Sequence, residues 1–190
     1  MRTPPAETRR FTRVEYDQLI ERGFFDEDER IELLDGLLVV REPQGSRHAV
    51  AVDLVRAALQ RAFRRGYYVR GHSPVALDDV SEPEPDVAVV RGRLRDYTAE
   101  HPSSPVLVVE VADSSLVKDR ARKGPLYARA GVADYWIVNL IDRVLEVYRQ
   151  PDRSASGRWT YRSVGRLKPP ATVSPLAAPG HRVRVADLLP

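Results

Sequence analysis

The chain has 190 residues, 43% hydrophobic and 30% charged, enough for one substantial core and too apolar to be mostly disordered. The absence of cysteine excludes disulfides, thiolate nucleophiles and cysteine zinc sites together, and is compatible with a cytoplasmic location. A formal charge of +3 permits contact with phosphate polymers without demanding it, and the polar stretch Met1 to Arg10, with no run of eighteen apolar residues elsewhere, predicts neither a signal peptide nor a membrane span.

In chain order, Thr12 and Glu15 have capping-box spacing, so a first helix is expected near 12–22, closed at Gly23. Asp35 and Gly36 stand between the apolar runs Arg30 to Leu34 and Leu37 to Arg41, a hairpin signal. Ser46 can cap a second helix whose apolar face is read as Val50, Leu54, Ala57, Ala58 and Leu59, ending at Gly66 with arginines 61, 64 and 65 near its C-terminus. Strands are expected at Tyr67 to Arg70, Pro74 to Leu77, Asp86 to Val90 and Val106 to Ala112, with a polar loop between the last two. A helical stretch follows from Leu116 to Ala130, capped by Gly131. Further strands are expected at Tyr135 to Leu140, Val144 to Arg149, Trp159 to Val164 and Arg182 to Val185. The predicted whole is a single α/β domain over 1–190, a mixed sheet flanked by helices with an N-terminal helix and hairpin, residues 1–10 being flexible and 151–190 an appendage of short strands on the same sheet. No glycine-rich phosphate loop follows any strand.

One residue does not fit this apolar pattern. Glu110 lies within Val106 to Ala112, a run that reads as a strand buried on both faces. A buried carboxylate without compensation costs several kcal/mol or becomes neutral. Asp86 begins another predicted core strand 24 residues earlier, a separation that lets neighbouring strands present both carboxylates to one point. Two such oxygen donors suit Mg²⁺ or Mn²⁺, which can activate water and neutralise charge on a phosphoryl oxygen. Ala112 shares Glu110's face and brings no cation. Asp119, Lys123 and Tyr127 follow at steps of four, so on a helix they share a face and Lys123 can be the cation of the site. The only lysines are Lys118, Lys123 and Lys168; a lysine kept where arginine is habitual either supplies a compact charge of tunable pKa or reflects random usage.

The segments "EPEPDVAVV", "PVLVVEVADSS", "KDRARKGPLYARAGVADYWIVN" and "LEVYR" together resemble the Uma2 (DUF820) family of endonucleases, which has the restriction-endonuclease-like PD-(D/E)xK fold. The likeness covers roughly residues 12–150. "IELLDGLLV" is similar to the family's N-terminal hairpin, and His48 to its early-helix histidine. The resemblance implies a metal-dependent phosphodiesterase centre acting on nucleic acid, DNA above all. Pro85 and Asp86 match the PD element, Glu110 the acidic position and Lys123 a relocated lysine. Ala112 stands where the broader superfamily has its lysine, and Gly124 and Pro125 directly follow Lys123, so the helix is expected either to kink there or to restart with Pro125 in its first turn.

Each assignment has a plainer counterpart. Asp86 can be a polar strand-start residue, Glu110 can be neutralised in a buried ion pair with an arginine, and Lys123 can form an exposed helix pair with Asp119 worth only about 0.3–0.5 kcal/mol. Glu32 either approaches the metal from the hairpin or decorates a solvent-facing position. His48 is a proton shuttle or substrate contact, or a solvated or capping histidine. Tyr127 accompanies Lys123 or merely packs, and Glu82 and Glu84 keep a loop soluble. Arg61, Arg64 and Arg65 form a solvated helix end or touch nucleic-acid backbone. Three functions follow: a Mg²⁺-dependent nuclease, compatible with a homodimer, a catalytically silent nucleic-acid-binding or assembly module on the same fold, or a non-nuclease phosphohydrolase acting on a small substrate.

Overall fold

The computed structural model describes residues 8–26, 28–41 and 43–190. Most of the 1–10 segment expected to be flexible lies outside them; Arg10, which is described, pairs with Asp35 at 3.0 Å.

The first helix, α1 (Arg13–Glu21), begins at the anticipated capping box: Glu15 N–H donates to Thr12 Oγ1 at 3.3 Å and Thr12 N–H to Glu15 Oε2 at 2.9 Å. Strands β1 (Ile31–Leu34) and β2 (Leu37–Val40) form the hairpin. Its two central residues, Asp35 and Gly36, both have positive φ (54° and 75°), as a tight two-residue turn of matching twist requires. At Gly36 a Cβ would lie 2.5 Å from Arg10 Cβ, so the N-terminal strap crosses where only glycine fits. A backbone bond from Glu82 N–H to Leu33 O (2.8 Å) ties the hairpin to the loop that leads into the main sheet.

Helix α2 (Ser46–Ala62) starts one residue earlier than a Ser46 cap requires: Gly45 is the N-cap, and no side chain caps it. Its buried face is Ala51, Val52, Val55, Ala58, Leu59 and Ala62, whereas Val50 is 47% exposed. Small apolar residues run round most of this helix, so pattern alone leaves its rotation open and packing on the sheet decides it.

The main sheet has six strands in sequence order: β3 (Tyr67–Gly71), β4 (Val87–Arg91), β5 (Leu107–Ala112), β6 (Asp134–Asn139), β7 (Val144–Arg153) and β8 (Trp159–Leu167). Only β5 and β6 are parallel. That pair needs a crossover, which the helical segment between them supplies. The strand expected at Pro74 to Leu77 does not form. Its backbone instead bonds to loops, Val75 N–H to Pro83 O and Ala76 N–H to Pro102 O, both at 2.9 Å, so the two residues are buried without a ladder.

The tail divides. β8 extends the sheet as expected, but β9 (Thr172–Val173) and β10 (Val183–Arg184) pair with each other in a separate two-stranded sheet. They cover one side of the core, where Val173, Val183, Val185 and Leu188 pack with α2 and the facing side chains of β4 to β6. On the other face, Val108, Ala112, Tyr135 and Ile137 pack with Tyr127 and Ala128 of the crossover. Every residue of β5 is buried, and alternation places Glu110 with Val108 and Ala112 on the crossover side.

Candidate active site

Between β5 and β6 the chain forms a short α3 (Leu116–Lys118), a π-helical turn (Asp119–Lys123) and α4 (Gly124–Arg129). Pro125 has no N–H to give the helix, and it sits in the first turn of α4, where that donor is not needed. The preceding turn widens to accommodate it, and Gly124 N–H donates to Asp119 O, five residues back. The Gly-Pro pair therefore does not turn Lys123 away from the core. Lys123 is 2% exposed, and its Nζ donates to Glu110 Oε1 and Glu32 Oε1, both at 3.0 Å. Tyr127, fully buried one turn on, donates its hydroxyl to the same Glu110 oxygen at 2.7 Å. Glu110 is thus met by a lysine and a tyrosine rather than by an arginine, and Lys123 is no exposed partner of Asp119.

Antiparallel pairing of β4 with β5 sets Val87 opposite Val109, and one step further brings Asp86 beside the Glu110 end of β5. Asp86 is 3% exposed. Its Oδ2 accepts the backbone N–H of Val111 at 2.8 Å and lies 3.2 Å from His48 Nε2; its Oδ1 accepts Gln44 Nε2 at 3.0 Å and Arg41 Nη2 at 3.2 Å. Burial pushes the Asp86 carboxyl up, but His48, the Val111 N–H and Lys123 outweigh it and hold the group at about 2. The same contact raises His48 against the effect of its own burial, favouring the imidazolium. His48 is therefore neither solvated nor a cap.

Glu110 is pulled the other way. Burial raises it to about 8, Lys123 opposes, and Asp86, Asp119 and Glu32 add to the rise. Its Oε1 nevertheless receives two donors, the arrangement an ionised carboxylate takes. Lys123 is raised although burial works against its charge, because Glu110 and Glu32 surround it. It is a fixed ammonium.

Glu32 is fully buried and does not decorate a solvent-facing position. Its Oε1 also lies 3.2 Å from Arg41 Nε, while its Oε2 is buried with no partner. Sequence reasoning passed over Arg41. Its side chain, 7% exposed, bridges Glu32, Glu84 and Asp86. Glu84 accordingly belongs to this network rather than merely keeping a loop soluble. Glu32 carried the same signal as Glu110, a carboxylate inside an apolar strand, and the need to compensate it pointed to a nearby cation. Asp119, 2% exposed, is raised by burial against Lys123 and accepts the Ser115 hydroxyl at 2.6 Å.

Asp86, Glu110, Asp119, Lys123, His48 and Arg41 border one cavity of about 820 Å³, with Lys118 and Arg122 also on its wall. Among the described residues no three His, Asp or Glu side chains form a ready-made metal cage. Mg²⁺ does not need one, since it keeps several waters and takes one or two carboxylates. Asp86 and Glu110 supply two such carboxylates on the same wall. The donor set fits a hard divalent cation.

No helix among the described residues is long and apolar enough to cross a membrane. No curated protein matches the chain. Among solved structures, a protein of Anabaena variabilis described as "a putative nuclease belonging to DUF820" superposes with a TM-score of 0.68, covering 90% of this chain and 96% of that one at 15% identity. At that identity the likeness speaks for the fold, here an α/β mixed sheet with an N-terminal helix and hairpin. Residues 13–186, which include every residue of the cavity wall, match the Uma2 family, described as "Putative restriction endonuclease", and the chain belongs to that family.

Proposed function

We propose that this protein is a divalent-metal-dependent endonuclease that hydrolyses phosphodiester bonds in DNA. The observation that supports this most is the meeting of Asp86, Glu110 and Lys123, from three separate elements, on one cavity. Asp86 and Glu110 would hold Mg²⁺ or Mn²⁺. When bound, that ion supplies Lewis acidity and an activated water. Lys123 has three N–H groups, two of them given to Glu110 and Glu32, and the third is left to orient the attacking water or to donate to a phosphoryl oxygen. As a fixed ammonium it is a donor and not a base. Tyr127 orients Glu110 through Oε1, and Glu32 with Arg41 holds Lys123 and Asp86 in place. His48 Nε2 is turned to Asp86 and its Nδ1 is buried without a partner, so it positions Asp86 and is badly placed to shuttle protons.

Supercoiled plasmid incubated with Mg²⁺ or Mn²⁺ tests the reading. Nicking that stops with a chelator, and that Glu110→Ala reduces at least a hundredfold while its circular dichroism spectrum is retained, supports it. Unchanged nicking by folded Glu110→Ala protein sinks it. One observation favours a catalytically silent nucleic-acid-binding module instead: both Asp86 oxygens already have donors. Calorimetric titration showing no Mn²⁺ uptake at millimolar ion, alongside salt-sensitive DNA binding, would decide for that module.

A further inference from the structure

We infer that the end of the sheet remote from the cavity is a second contact surface, one that grips the phosphate backbone of duplex DNA. This rests on the reading of nucleic acid as the substrate. The end of α2 and the turn into β3 carry Arg61, Arg64 and Arg65, and the end of β4 and the turn after it carry Arg91, Arg93 and Arg95; all six are exposed. The fold sets the turns side by side, since Gly92 N–H donates to Gly66 O at 2.9 Å and Tyr67 pairs with Arg91 in the ladder. The only acid in either turn is Asp96, and its carboxylate is turned back onto Arg93 N–H at 2.8 Å. Among the described residues none of the six side chains has an ion-pair partner. A solvated helix end explains three of these arginines, by attraction to the last carbonyls of α2. It does not explain the three contributed by β4.

Two further features point to phosphate. The Arg91 guanidinium lies 5.7 Å from the centre of the Tyr67 ring. Arg70, next along β3, is nine-tenths buried, with Nε and Nη1 unpartnered and its guanidinium 5.9 Å from the Tyr97 ring. The charges are all guanidinium, whose planar fork matches phosphate oxygens, and are held on two rigid turns. A lipid surface would be expected to meet a broad apolar face, and Leu94 is the one large apolar side chain exposed on these turns. β4 separates Arg91 from Asp86 by about 17 Å, roughly five base-pair steps, so one short duplex can span surface and cavity.

The test is anisotropy of a labelled duplex of about 30 base pairs, in chelator, across a range of NaCl. The variant Arg61→Ala/Arg64→Ala/Arg93→Ala/Arg95→Ala should bind at least tenfold more weakly near 100 mM salt, with a log–log salt slope shallower by about 3.6, because each lost phosphate contact removes about 0.9. If it fails to fold, Arg64→Gln/Arg95→Gln should lower the slope by about two. An unchanged slope in a folded variant, or tighter binding of the parent protein to phosphatidylserine vesicles than to duplex at equal ionic strength, overturns the inference. The readout needs neither metal nor cleavage, so a protein that binds through these arginines yet never hydrolyses DNA would overturn the nuclease reading and leave this one standing.

Discussion

Lys123→Met keeps the length of the side chain and removes its charge. Glu110 and Glu32, 2% and 0% exposed, then each lose a donor at 3.0 Å. Breaking a buried ion pair from one side costs about 3–5 kcal/mol. Tyr127 still serves Glu110, and Arg41 still serves Glu32, so about 4 kcal/mol is expected near pH 8, or roughly 10 °C in Tm for a chain of this size. The loss must depend on pH, with a sign that follows from linkage. Glu110 already sits at about 8, above the ordinary 4.5, and Lys123 is what holds it down. A carboxyl raised on folding binds more protons folded than unfolded, so its contribution to stability is greatest below about 4.5 and is lost as pH rises towards the folded value. Without Lys123 that value is higher still. Near pH 5 the carboxyl enters the core neutral, and the cost should shrink to about 1–2 kcal/mol, the worth of a lost hydrogen bond. Urea unfolding of parent and variant at the two pH values measures this, with exposed Lys168→Met as a control expected within about 0.5 kcal/mol. A loss below about 1 kcal/mol at both pH values would refute the buried ammonium.

Glu82, 3% exposed, accepts no hydrogen bond at Oε2 and has Arg13 Nη1 4.0 Å from it; burial, outweighing Arg13, raises it to about 7, so Glu82→Gln should stabilise the fold by about 1–3 kcal/mol above pH 8 and by nothing near pH 4 in the same unfolding assay. Pro125→Ala restores an N–H and lets the π turn relax to α-helix, which rotates Lys123 away from Glu110 and Glu32; plasmid nicking should fall at least tenfold, and the unfolding midpoint should fall with it because the buried ion pairs are lost. Arg41→Lys keeps the charge but cannot reach Glu32, Glu84 and Asp86 together, so a loss of about 2–4 kcal/mol is expected from denaturant unfolding in spite of the conservative exchange.

Local signals read well from the chain. The Thr12–Glu15 box and the Asp35–Gly36 turn are short-range devices whose geometry their own residues dictate, and both form where expected. Glu110 and Asp86 were legible because carboxylates in or beside apolar strands need partners, and β4 and β5 do bring them together. Less legible was anything set by packing between distant segments. The rotation of α2, the irregular path of residues 74–77 and the separate pairing of β9 with β10 depend on which surface covers which. Arg41 stood at the end of a hairpin strand with nothing local to mark it, and it matters only because the hairpin folds over the cavity 45 residues from Asp86. At Pro125 two outcomes were open from sequence, a kink or a restart in the first turn; the helix restarts, and the wider turn before it keeps Lys123 in the core.

The central claim is that Asp86 and Glu110 share a divalent cation beside Lys123. Anomalous diffraction from crystals soaked in Mn²⁺ tests it most directly. The account predicts a manganese peak liganded by both carboxylates on the cavity wall, with Lys123 still bonded to Glu110. Manganese bound elsewhere, or no peak at millimolar Mn²⁺ with Asp86 still held by His48, Gln44 and Arg41, would contradict it.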